Sequence, residues 1–337
     1  MGKTQLIQLS AIVGMGMVLS GCMGNGIKLS EYKSVALQQG KFSSNGKENQ
    51  SRQAKVIIMD IDNNGIETAK KINLGKSMAS NINKELSENK NVQILKRVSS
   101  ANYDQILSKE IEAAEIGKET GEDVGQADYL VSGQLSNVTF SNDFEEGYYS
   151  EDKKGKRTYH PPQIKYKACV QGSIKVFGLP DLNEQESKSF DECSSQSEEA
   201  RSPSDAKPSN GSLEREAGTE AMNSVAYALK SFFTPKAYIN AMKKNGDDII
   251  IRVSVGKNQG AKEGDVVHIF TMTDDGAIKV GEGEITNKIT NNNSWVTVEE
   301  LEDDHHIQKG DYVKIHYKEG LWSKFKKGTD LSKYIGI

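Results

Sequence analysis

The chain has 337 residues, of which 36% are hydrophobic and 7% aromatic, and 43 Lys and Arg against 47 Asp and Glu leave a formal net charge of −4. That length allows roughly two domains and a linker. A balance so close to neutral excludes a general electrostatic pull toward nucleic acid, and it is not acidic enough for a chain disordered throughout.

The first predicted element is a leader. Lys3 precedes an apolar stretch over residues 6–19, and Leu19-Ser20-Gly21-Cys22 closes it with small residues before a cysteine. The stretch falls short of the roughly 20 residues of a membrane span, and its charged start, apolar middle and small-residue end are what export and cleavage machinery uses. The run resembles the bacterial lipobox. That resemblance implies removal of residues 1–21 and lipidation of Cys22 as the new N-terminus. Met23 stands where lipoproteins retained at the inner membrane usually carry aspartate, so the resemblance implies the outer membrane, periplasmic face. Residues 22–53 are expected as a lipidated tether, since residues 38–51 consist mainly of Gln, Gly, Ser, Asn and Lys.

Beyond the leader no stretch is apolar enough for a transmembrane helix, and the mean hydropathy is −0.60. Lys55-Val56-Ile57-Ile58-Met59-Asp60 has the apolar run of a buried strand, ended by the turn residues Asp62-Asn63-Asn64-Gly65. Residues 75–89 then place Met78, Ile82 and Leu86 on one helical stripe. Val92-Gln93-Ile94-Leu95 is a second strand. Ser99 or Ser100 caps a helix that turns Tyr103, Ile106, Leu107, Ile111 and Ala114 inward. Ala127-Asp128-Tyr129-Leu130-Val131-Ser132-Gly133 opens a strand that runs on to Phe140. Residues 213–233 form a long helix with Ala221, Val225, Ala228, Leu229 and Phe232 on its apolar face, stopped by Pro235. Residues 144–162 and 194–211 are expected as exposed loops, the second mobile because Ser, Glu, Pro and Asp dominate it.

Once Cys22 is lipidated only Cys169 and Cys193 remain. Residues 164–177 alternate apolar and polar, and Leu179-Pro180-Asp181-Leu182-Asn183 supplies turn chemistry before a second extended run. A hairpin centred on Asp181 sets the two cysteines opposite each other. At a non-hydrogen-bonded position they bond as a disulfide; at the other pair type they stay as two buried thiols.

The strand at residues 55–60, the helix at 76–86 with the strand after it, and the run at 127–133 together resemble the CsgG family, lipoproteins related to the curli secretion subunit. The fold is shared with the middle domain of the flagellar protein FlgT and the N-terminal domain of TolB. The resemblance covers about residues 54–234. It implies an α/β domain with a mixed sheet, side-by-side packing into a homo-oligomeric ring, and an envelope setting rather than chemistry. One departure bears on function. The curli channel builds a membrane barrel from two hairpin insertions with lipid-facing apolar residues. Here residues 144–162 carry Glu145, Glu146, Glu151, Asp152, Lys153, Lys154, Lys156 and Arg157. Lipid-facing charges cost on the order of 2–4 kcal/mol each near the bilayer midplane, which argues against a pore by this route.

After Pro235 the chain turns to strands with glycine-punctuated turns, expected as a second domain over residues 235–318. Lys262-Glu263-Gly264-Asp265-Val266-Val267-His268-Ile269 is echoed by Gln308-Lys309-Gly310-Asp311-Tyr312-Val313-Lys314-Ile315. In both, a Gly-Asp turn feeds an alternating strand, as at the corners of a small barrel. The domain resembles the C-terminal domain of FlgT, an SH3-like or OB-like β-barrel. Residues 319–337 are a basic tail with Trp322, Lys324, Phe325, Lys326 and Lys327. The fold class expected is therefore α+β.

No catalytic motif stands out. His160, His268, His305, His306 and His316 are scattered, and Asp303-Asp304-His305-His306 lacks a second ligand cluster. No cofactor, metal or catalytic residue is implied. The expectation is a non-enzymatic envelope scaffold or assembly factor, in its most specific form a flagellar basal-body accessory ring. Its expected partners are the outer membrane, copies of itself, and other envelope or basal-body proteins, with no nucleic acid. The alternatives are a CsgG-type secretion subunit and an outer-membrane activator of a peptidoglycan synthase.

Overall fold

The computed structural model describes residues 26–41, 53–63, 65–95, 103–120 and 127–317. Two short strands open it, β1 (Lys33–Val35) and β2 (Gln38–Gln39). An α/β unit follows in the order β3 (Ala54–Ile58), α1 (Glu67–Lys71), α2 (Leu74–Ser87), β4 (Val92–Ile94), α3 (Tyr103–Thr120), β5 (Tyr129–Glu145), β6 (Tyr148–Glu151), β7 (Arg157–His160), β8 (Gln163–Gly178), β9 (Asn183–Glu199) and α4 (Ser212–Phe232).

Five of these strands form one mixed sheet in the order β4-β3-β5-β8-β9. β3 runs parallel to β4 and β5, while β5, β8 and β9 are antiparallel. β3 buries side chains on both faces, Val56 beneath α2 and α4 and Ile57 toward the other side, which is why its sequence is a continuous apolar run rather than an alternating one. Met78, Ile82 and Leu86 of α2 meet Ala217, Ala221, Met222, Val225 and Leu229 of α4 over the sheet. Each such large side chain contributes about 1.5–3 kcal/mol on burial. The α4 stripe includes Met222, while Ala228 and Phe232 are only half-buried. Leu107 of α3 packs on the opposite face with Ile57, Leu130 and Phe177. Ile111 is half-buried; Ser99, Ser100 and the side chains of Tyr103, Ile106 and Ala114 lie outside the described set. A Cβ at Gly75 would stand 2.0 Å from the carbonyl oxygen of Ile61, so only glycine lets α2 begin this close to the strand connection.

Of the two segments expected as loops, the first is largely strand and the second is strand only over residues 194–199, with residues 200–211 outside any strand. Residues 144–162 finish β5 and then form the β6–β7 hairpin, and β9 continues to Glu199, followed by a 3-10 turn at Pro203–Asp205. A two-stranded ribbon in solvent has no buried face, so hydrophobic alternation leaves no mark on its sequence. β9 is an edge strand whose only fully buried side chains are Phe190 and Ser194.

The second unit comprises β10 (Ala237–Asn245), β11 (Asp248–Val253), β12 (Val266–Thr273), β13 (Gly276–Ile289), β14 (Ser294–Leu301), β15 (Gln308–Lys309) and β16 (Tyr312–Ile315). Strands β10-β11-β14-β13-β12-β16 pair antiparallel, and β16 returns to β10, closing a six-stranded barrel around Ile251, Val253, Val267, Ile269, Ile285, Val296 and Val313. The chain is thus α+β.

The described part of the expected tether is docked. β1 pairs antiparallel with β10 through Lys33↔Lys244 and Val35↔Met242, and β2 pairs parallel with β15. Leu37 packs against the barrel core, and Lys243 Nζ donates to the Leu29 carbonyl at 3.2 Å. Backbone pairing supplies what the polar side chains of this segment do not.

Candidate docking surfaces

The sheet offers two contrasting ends. At one, the 17-residue β9 carries Glu184, Glu186, Asp191, Glu192, Glu198 and Glu199 against one lysine, Lys188, and no strand among the described residues pairs with its outer edge. Unpaired backbone groups on such an edge are a template for another chain. α4 supports the strand from one face. Part of the charge is answered locally, by Lys175 on Glu184 at 2.7 Å and Lys207 on Glu198 at 2.6 Å. At the other end, beside β4, α1, α2 and the residues after them present exposed Lys70, Lys71, Lys76, Lys84 and Lys90 with two exposed acids, Glu88 and Glu67, the latter paired with Lys70 at 3.2 Å.

Across the β8–β9 pair Cys169 faces Cys193, with Cα atoms 4.0 Å apart and the two sulfurs bonded. The close Cα spacing belongs to a non-hydrogen-bonded pair. The bridge sits on the sheet face opposite Ala168, Val170 and Ser194, which α4 covers.

The β6–β7 hairpin stands at the far end of the long β5–β8 ribbon. Tyr148 pairs with His160 and Tyr149 with Tyr159, giving a stacked pair with centroids 4.6 Å apart and a tilted pair at 5.0 Å. Arg157 lies over the Tyr149 ring at 5.5 Å, and Ser150 Oγ and His160 Nε2 share a hydrogen bond of 2.8 Å. Tyr148, Tyr149 and Tyr159 are nevertheless 53%, 64% and 53% exposed. The tip is closed by Asp152, whose Oδ1 accepts the amides of Lys154 and Lys156, both at 2.9 Å. At the root Lys165 donates to Glu145, and this bond, together with one from Gln163, holds the Glu145 carboxyl below its usual range. Below the hairpin a cleft of about 580 Å³ opens between Pro161, Pro162, Tyr166, Arg201 and Lys207. The Lys207 amide donates to the Tyr166 hydroxyl at 3.0 Å, and the Arg201 amide lowers the Asp205 pKa.

The structure brings two of the five histidines together, His268 and His316, and leaves the others apart. His305 turns inward to share a 2.9 Å bond with the buried carboxylate of Asp311, while Asp303, Asp304 and His306 stay exposed. His268 lies 3.1 Å from Glu282 and stacks on His316 at 4.1 Å. Among the described residues no group of three or more His, Cys, Asp or Glu side chains could hold a metal ion. Cys22 and the basic tail at residues 319–337 lie outside the described residues. No described helix is long and apolar enough to cross a membrane.

The two units touch through polar contacts. Lys314 Nζ donates to the Phe232 carbonyl at 2.9 Å, the Tyr317 amide to Ser231 Oγ at 2.9 Å, Lys90 Nζ to the Lys257 carbonyl at 3.1 Å and Asn91 Nδ2 to that of Gln259 at 3.2 Å. Burial first, and Lys236 nearby second, push the Lys314 ammonium pKa down. Neither the docked N-terminal segment nor the aromatic hairpin was visible to sequence reasoning. The Tyr148-Tyr149 and Tyr159-His160 pairs flanking a charged tip were the available signal for the hairpin.

No protein-family model matches the chain, and no curated protein does. Solved structures similar to part of it include a hypothetical protein, CT253, from Chlamydia trachomatis, at 11% identity over 54% of this chain and 98% of that one, with a TM-score of 0.28. A minor lipoprotein from Acinetobacter baumannii matches at 7% identity over 52% and 91%, TM-score 0.24. A dodecamer of a PelC variant from Paraburkholderia phytofirmans matches at 11% identity over 57% and 94%, TM-score 0.23. At TM-scores this low the likenesses carry no argument about fold or function.

Proposed function

We propose that the protein is a non-enzymatic lipoprotein scaffold of the bacterial cell envelope, anchored through Cys22 to the periplasmic face of the outer membrane and assembled by contacts between its own sheet ends. The observation that carries this reading is the β9 edge, long, acidic and without a strand partner among the described residues. Its complement is the lysine-bearing α2 and β4 end of the same sheet. Two unlike patches that complement each other make a heterologous contact, which closes into a ring if the rotation per copy allows it. A flagellar basal-body accessory ring is the most specific machine consistent with the resemblances of both units.

The test is charge reversal on the full lipoprotein in detergent, with mass measured by light scattering. Asp191→Lys with Glu192→Lys is expected to dissociate the assembly, and adding Lys76→Glu and Lys84→Glu to restore it in part. A monomeric wild type, or an assembly indifferent to both sets, overturns the reading.

A further inference from the structure

The described N-terminal segment lies along the barrel. Three residues lie between Cys22 and Gly26, and the four backbone steps reach at most ~14 Å when fully extended. Gly26 lies directly on the barrel, where a Cβ would come within 2.2 Å of Asn287 Nδ2. From there the chain stays on the barrel surface: Lys243 holds the Leu29 carbonyl, β1 continues the barrel sheet beside β10, β2 pairs with β15, and Lys41 meets Asp274 at 2.6 Å. The stretch that could have served as a long tether is therefore consumed in docking.

We propose that the barrel rests against the phospholipid headgroups of the anchoring leaflet, with the β5–β8 ribbon directed away from them, so that the aromatic β6–β7 hairpin is presented deep in the periplasm. This deepens the scaffold reading and rests on acylation of Cys22. The lipid-facing surface is the barrel flank around Lys28, Lys33, Val35 and Lys244, with Lys28 77% exposed along its side chain and Val35 37% exposed. Ammonium groups on flexible stems suit phosphate headgroups. Glu31 answers Lys28 at 3.5 Å, so the charge is modest and the covalent lipid supplies the attachment.

The opposite end follows from strand geometry. β5 starts at Tyr129, whose ring touches Phe232 and Phe233 at the α4 terminus beside the barrel, and it ends at Glu145 beneath the hairpin. Its 17 residues span on the order of 50 Å. A molecule lying flat on its β9 side would instead set the acidic edge against anionic lipid, which opposes that pose.

The experiment uses acylated full-length protein in vesicles of phosphatidylethanolamine and phosphatidylglycerol with a fluorescent acceptor on the headgroup. Donor dyes are placed at Lys244→Cys and, separately, at Lys154→Cys, and mass spectrometry verifies the lipid on Cys22. Transfer is expected to be several-fold stronger from residue 244 than from residue 154. A flexible Gly-Ser insertion after Met23 should weaken transfer from residue 244, because it restores the missing tether. Equal transfer from both sites, stronger transfer from the hairpin, or indifference to the insertion overturns the orientation while leaving the anchored scaffold standing. Absence of lipid on Cys22 overturns both.

Discussion

Asp265 and Asp311 hold two copies of one turn, and the strands leaving those turns are hydrogen-bonded neighbours. Asp265 Oδ2 accepts the Lys262 amide at 2.8 Å, and Asp311 Oδ2 accepts the Gln308 amide at 2.9 Å. Gly264 and Gly310 precede them at φ +85° and +102°, a backbone region that other residues enter at a cost. β12 and β16 then pair antiparallel with Val267 opposite Ile315 and Ile269 opposite Val313, so the internal repeat of the sequence becomes a local two-fold in the barrel wall. The copies differ in burial. Asp311 is 1% exposed and also holds His305.

Asp311→Ala should therefore cost more than Asp265→Ala, about 2–3 kcal/mol against about 1 kcal/mol, because it removes a buried carboxylate and leaves both a half-buried amide and a half-buried imidazole without their partner, rather than one exposed amide. Urea unfolding of the two variants measures the difference. Equal losses would mean that the buried carboxylate contributes no more than its half-buried counterpart.

The Cys169–Cys193 bridge closes a loop with a sequence separation of 24. Chain entropy gives such a loop on the order of 3 kcal/mol of stabilisation. Replacing both cysteines with serine should lower the urea midpoint accordingly, and mass mapping of non-reduced digests should recover the linked peptides. Because the bridge lies opposite the face packed by α4, its loss should not open the α2–α4 core, and near-ultraviolet circular dichroism should change little.

Burial decides which parts of this architecture are legible in the sequence. Val56 and Ile57, the stripe Met78-Ile82-Leu86 and the alternation of β8 each face a core, and each leaves its period in the sequence. The hairpin turn around Asp181 and both Gly-Asp corners are legible because backbone angles restrict the residue types there. What escapes has little apolar period to show. β6 and β7 leave their tyrosines more than half exposed, β9 buries two side chains in 17 residues, and β1 and β2 are held by main-chain pairing to a barrel more than two hundred residues away in sequence. The surfaces with most to offer a partner are the ones that core-forming patterns describe least.

The interface between the units should carry a pH signature. Lys314 has its pKa lowered in the folded protein, chiefly by burial, so the unfolded chain binds more protons between the depressed value and the ordinary lysine value. Stability from this group consequently rises with pH across that window and is lost as pH falls through it. Lys314→Met removes the term. The stability difference between wild type and variant should move in favour of the wild type as pH is raised from neutral toward 10. Tyr129, Tyr312 and Tyr317, each raised by burial, act in the opposite sense above that range but cancel in the comparison. A difference that stays constant with pH would show that the ammonium is solvated in the folded protein.

The hairpin should separate function from stability. Tyr149 and Tyr159 are more than half exposed and touch mainly each other and Arg157. Replacing both with serine should shift global unfolding by no more than about 0.5 kcal/mol, the ordinary range for surface changes. Ile164→Ala, two residues beyond Pro162 in the core beside Tyr166 and Leu213, should cost about 2–5 kcal/mol. If the hairpin is a docking element, the tyrosine variant loses partner capture in a periplasmic crosslinking pull-down while remaining folded and anchored, whereas Ile164→Ala loses both together. Should the tyrosine variant keep every crosslink that the wild type makes, the exposed aromatic pairs serve only to hold their own ribbon together.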